Sequence, residues 1–100
     1  MIVGNKIPYE PLVSTSFKKD LKRLKQQGKK VSLLEDVMEK IISKHTLDKK
    51  YKDHSLKGNW IGSRDCHIQS DWILIYRLDE KNNAVIFERS GSHQELFNNY

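Results

Sequence analysis

The segment Trp72-Ile73-Leu74-Ile75-Tyr76-Arg77-Leu78 constrains the fold more than any other, because its apolar residues run on without polar alternation. A strand of that kind belongs at the centre of a sheet, where neither face meets water. Its neighbours supply the rest of a meander. Arg64 to Ile68 reads as one strand with Gln69 and Ser70 as the turn. After a hairpin loop over 79–83, Ala84 to Arg89 reads as the next. Gly91 breaks that strand, and His93 to Phe97 reads as one closing helical turn.

Ahead of the meander the period changes to that of helices. Phe17, Leu21 and Leu24 fall on one stripe, with Lys18, Lys19, Lys22, Arg23 and Lys25 mostly off it. Ser14, Thr15 and Ser16 offer hydroxyls to the orphan amides of the helix start, and Gly28 tolerates the left-handed turn that ends it. Ser32 and Glu35 have the spacing of a capping box. Leu34, Val37, Met38, Ile41 and Ile42 then form an apolar face, and Lys44 and His45 suit a helix C-terminus. The short link predicts an antiparallel helical hairpin. Residues 1–10 read as a loose arm leading into a short strand around Pro11 to Val13, and residues 51–60 as a structured loop. Strand, two helices, then an antiparallel meander predict a single α+β domain over 1–100, with helices on one face of the sheet.

The 100 residues are 37% hydrophobic and 31% charged, which excludes a disordered or fibrous chain. Eighteen lysines and arginines against 13 acidic residues give a net charge of +5, favouring encounter with RNA, DNA or an acidic protein. The one cysteine, Cys66, rules out an intramolecular disulfide and a cysteine-rich metal site. The N-terminus lacks the apolar core of a signal peptide, and no apolar run approaches the ~20 residues that span a bilayer. A cytosolic protein without a membrane partner is expected.

Of four histidines, His54, His67 and His93 fall in the second half, in irregular or strand-end segments, and His45 follows the second helix. Their spacing matches no usual zinc motif, so neither a metal nor another cofactor is expected. Acid–base cleavage of RNA fits better. A base must take the 2′-hydroxyl proton and an acid must protonate the leaving 5′-oxygen, and imidazole suits both tasks near neutral pH. Arg64, Arg89 and Lys57 are candidate cations for charge on the phosphoryl oxygens. Structural readings stand beside these. His54 can be a surface residue, His67 can bond a carbonyl, and Asp71 can close an Asx turn. Asp71 can equally approach His67, four residues away, and orient its ring. His93 and Phe97 share a face if their segment is helical, either as a cap on the sheet or as an imidazole beside a base-stacking ring. Trp60 and Trp72 read as core.

The runs 51–60, 64–76 and 88–97 carry the pattern YKDHxLxGxW, RDxHxxxDWxLIY and ERxGxHxxLF. The chain thereby resembles the YafQ-type toxins of the RelE/ParE superfamily, over about half its length. The resemblance implies the toxin of a type II toxin–antitoxin system, an endoribonuclease cleaving mRNA on the ribosome. It implies a cognate antitoxin whose acidic segment wraps the toxin and which alone contacts operator DNA. It also implies a site of His54, His67, Asp71 and His93, with Phe97 placing the substrate. Our assignment gives the proton traffic to His54 and Asp71, and the phosphate to His67 and His93. The N-terminal arm and Asn98-Asn99-Tyr100 extend beyond what the resemblance needs. Alternatives within reach of the fold are a ParE-like gyrase inhibitor, a non-catalytic RNA-binding domain and a degenerate toxin that only binds its antitoxin.

Overall fold

A computed structural model describes residues 7–97. The outermost part of the expected arm, 1–6, and the tail, 98–100, lie outside the described residues. The strands are β1 (Glu10–Val13), β2 (His54–Ser55), β3 (Arg64–Gln69), β4 (Trp72–Asp79) and β5 (Ala84–Gly91). The α-helices are α1 (Thr15–Gln26), α2 (Val31–Ile42) and α3 (His93–Phe97), and 3-10 turns occupy Lys49–Tyr51 and Gly58–Trp60.

The five strands form one sheet in the order β1-β5-β4-β3-β2, antiparallel except for β1, which lies parallel to β5. The apolar run of β4 is central, as its composition demands, with Trp72 to Tyr76 buried. β1 is a free edge. The amides of Glu10 and Ser14 donate inward to Asn83 and Phe87. By the two-residue period the Pro11 nitrogen falls on the outer side, where an edge strand needs no donor.

Local chemistry sets the helix ends. Ser14 Oγ accepts from the Phe17 amide at 2.9 Å and donates to the Glu88 carbonyl at 2.7 Å, capping α1 and tying it to β5. At the other end Gly28, at φ +76°, lets Lys29 and Gly28 donate back to Leu24 and Lys25. Lys44 takes the same left-handed position after α2 at φ 62°.

Several expectations need correction. The capping box at Ser32 does not form. α2 begins at Val31, so Ser32 is already helical, and the N-cap Lys30 offers no side-chain bond. Gly91 does not interrupt β5 but ends it, paired with Ile73. The loop over 51–60 contributes a short fifth strand. The arm is not loose up to its tenth residue, because Tyr9 is buried and its amide bonds Ile42.

The sheet has two unlike faces. One carries α1 and α2, whose Phe17, Leu24, Leu34, Val37 and Ile41 pack on Cys66, Leu74, Tyr76, Val85 and Phe87. The other holds a smaller cluster, Ile73, Ile75 and Leu96 with Leu56, Trp60 and Phe97 around them. Only the two long helices share a face; α3 lies on the opposite, more open one.

Candidate active site

The open face gathers the histidines. His54 on β2 pairs in register with Asp65 on β3, and His67 follows Asp65 by two residues, so the period of a strand puts all three on one side. A register shift between His67 and Gln69 kinks β3 just after His67, a device that re-aims side chains at sites. His93 opens α3 above them, with its ring centroid 5.3 Å from that of His67. Phe97, one turn later, lies 6.0 Å from His93 and meets Trp60 edge-on at 6.0 Å.

A five-residue helix cannot hold itself in water. α3 is held by a capping box of its own: Ser92 Oγ accepts from the Glu95 amide at 3.0 Å, and Glu95 Oε1 from the Ser92 amide at 2.9 Å. Arg23 of α1 bridges to Glu95 at 3.1 Å. Those bonds and the amide of Gln27 hold the Glu95 carboxyl below its usual range, the Ser92 amide contributing most. Gly91 leaves room for this pair, since a Cβ would stand 2.6 Å from the Arg23 guanidinium and 2.9 Å from the Glu95 carboxylate and would push those side-chain ends aside.

The hydrogen bonds distinguish the imidazoles. His54 Nδ1 lies 2.7 Å from the Lys52 carbonyl, which only accepts, so Nδ1 carries the proton and a neutral ring keeps its lone pair on Nε2. Lys52 supports this contact from a left-handed backbone at φ 51°. Asp71 does not turn to His67. Its Oδ1 faces His93, 3.3 Å from Nδ1 and 3.4 Å from the backbone nitrogen. Burial lowers the His67 pKa, and positive His93, Lys52 and His54 add to that, against Asp65, which raises it.

The expected cations divide. Arg64 grips Asp53, with Nη2 2.8 Å from Oδ2, and Tyr76 donates its hydroxyl to the same carboxylate. This knot ties down the chain immediately before His54, so the Arg64 guanidinium is engaged by Asp53. Arg89 is bound to Asp20 of α1, with Nε 2.7 Å from Oδ2. Lys57 is exposed just after β2. Beside His67 a groove of about 450 Å³ opens between α2 and β3, lined among others by Lys40, Lys50, Lys52 and Tyr51. Those lysines escaped the sequence reading because only folding brings 40 beside 50–52.

Asp65 also escaped it. It is 2% exposed, its Oδ1 has no hydrogen-bond partner, and burial raises its pKa although His54, His67 and His93 each pull it down. Its place two residues before His67 in a strand was the available signal. Among the described residues no group of three or more His, Cys, Asp or Glu side chains could hold a metal ion. No helix among them is long and apolar enough to cross a membrane.

Known proteins share this fold. The mRNA interferase toxin YafQ of Escherichia coli K12 is 41% identical over 85 residues, covering 84% of this chain and 90% of that protein. The E. coli DinJ–YafQ toxin–antitoxin complex contains a chain that superposes with a TM-score of 0.82 at 38% identity, covering 91% of this chain and 99% of that one. A metal-bound toxin from Helicobacter pylori superposes with a TM-score of 0.84 at 38% identity, covering 89% and 99%. Residues 9–98 match the family described as bacterial toxin of type II toxin–antitoxin system, YafQ, and the chain belongs to that family.

Proposed function

We propose that the protein is an mRNA interferase, the toxin of a type II toxin–antitoxin pair, cleaving ribosome-bound message by metal-independent acid–base catalysis. The observation that carries this reading is the convergence of His54, His67 and His93 from three separate elements on the open face, two of the rings 5.3 Å apart. Its names come from relatives that are mRNA interferases.

The reaction follows from the bonds each group makes. His54, with its proton on Nδ1, offers Nε2 to the 2′-hydroxyl. The freed 2′-oxygen attacks phosphorus and the 5′-oxygen leaves, taking a proton from His93, whose ring Asp71 orients across 3.3 Å. His67 stands between as a donor to the phosphoryl oxygens, and Phe97 with Trp60 offers an aromatic wall for the flanking base. Asp71 thus moves from the proton traffic assigned to it by sequence to orienting His93. The products are a 2′,3′-cyclic phosphate and a 5′-hydroxyl. The lysine groove beside His67 takes the strand's phosphates.

The partner is an acidic-tailed antitoxin equivalent to DinJ, through which alone the complex touches operator DNA, and the reaction takes place in the cytoplasm with the message. A gyrase inhibitor or a mere RNA binder has no use for the orienting bonds of His54 and His93. Replacing the 2′-hydroxyl at the cut position by hydrogen abolishes cleavage and leaves binding; cleavage of that deoxy message would refute the mechanism.

A further inference from the structure

Asp65 has no task in the reaction above, yet its surroundings give it one. It projects from β3 between His54, directly across on β2, and His67, two residues on, while across β4 its register partner is the apolar Ile75. At 2% exposure with an unpartnered Oδ1, this carboxylate has no hydrogen-bonded excuse for being buried. Burial and nearby Asp53 press it toward its neutral form, and the imidazoles of β2, β3 and α3 oppose them. The relation is mutual: of the charges that face His67, Asp65 favours its proton, while His93, Lys52 and His54 oppose it.

We propose that Asp65 is a positioning residue of this site, a buried counter-charge that keeps a proton on the histidine cluster until a phosphodiester replaces it. The proposal takes its purpose from the ribonuclease reading, though its geometry stands apart. Acid–base cleavage needs one ring protonated beside one that is free, and imidazolium rings 5.3 Å from their neighbours repel a second charge. A carboxylate beneath them, shielded from solvent ions, holds the first proton in place without being screened by salt. When RNA enters, its own phosphate supplies that negative charge. Asp65 touches neither substrate nor the transferred proton.

The test is Asp65→Asn, nearly isosteric and uncharged, with Asp65→Ser as a second variant should the amide not fold. The ring C–H signals of His67 are followed by NMR against pH, and the rate of cleavage of ribosome-bound message is measured over the same range. In a folded variant the His67 pKa falls by about one unit, and cleavage near neutral pH slows as His67 loses the proton it presents to the phosphoryl oxygens. A folded variant whose His67 titrates like that of the native protein overturns the proposal. If His67 shifts but neither protein cleaves RNA at any pH, the counter-charge stands and the ribonuclease reading fails.

Discussion

Asp20 and Asp65 are equally buried, each 2% exposed, and they lie on opposite faces of the same sheet. On the helix-covered face Asp20 accepts from Arg23 at 2.7 Å, from Arg89 at 2.7 and 3.0 Å, and from the Ser90 amide at 3.0 Å. Burial raises its pKa, but those four bonds outweigh burial and leave it lowered. On the open face Asp65 has an oxygen with no partner, and its pKa is raised. The same side chain is therefore a clamp in one place and a liability in the other. A face built for stability satisfies its buried charge; a face that tolerates an unsatisfied one has another use for it.

The largest effects separate the faces by what they damage. His93→Ala should lower the cleavage rate by about 10² to 10⁴, the usual contribution of a general acid, and change unfolding free energy by no more than about 0.5 kcal/mol. Asp20→Ala should do the reverse in urea titrations, costing about 3–5 kcal/mol because Arg23 and Arg89 lose their shared anion. Asp65→Asn should stabilise the protein by about 1 kcal/mol near neutral pH, since a poorly partnered buried charge is removed. A variant at once more stable and slower would sharpen the contrast; a less stable one would break it.

Acid sharpens it further. The lowered pKa of Asp20 means that its share of stability is present above the unfolded value of about 3.9 and is lost as pH falls through its folded value. The raised pKa of Asp65 means the opposite: its share is present below about 3.9 and is lost as pH rises through its folded value. Urea midpoints of Asp65→Asn and native protein should converge in acid, and those of Asp20→Asn and native should converge there too, from the other side. The smallest expected effect is none: with a metal-bound toxin among the relatives, adding a chelator to purified protein after ribosomes are supplied with fixed free magnesium should leave the cleavage rate unchanged.

Much of the helix-covered face was legible because its signals are local. The run at β4, the stripe of Phe17 and Leu24, the Ser14 cap and Gly28 each act within a few residues. The open face was legible in its residue types but not in its pairings. Asp71 suggested His67, four positions away, whereas its partner His93 is 22 positions away and arrives only when α3 docks. Arg89 looked available for phosphate, but Asp20, 69 positions distant, claims it. Ser32 with Glu35 showed a capping box that α2 overruns, while the working one, Ser92 with Glu95, sat in a helix too short for a periodic signal. Asp65 was hidden by its ordinary place in a strand, since orphaned burial is a property of the folded neighbourhood.

The central claim is that the open face cuts translated message. Primer extension on a reporter mRNA in a translating extract, with native protein and with His93→Ala, tests it most directly. Discrete cuts that require both the native histidine and active ribosomes are the predicted result. Intact message alongside arrested growth, or identical cuts from the His93→Ala protein, would contradict the account.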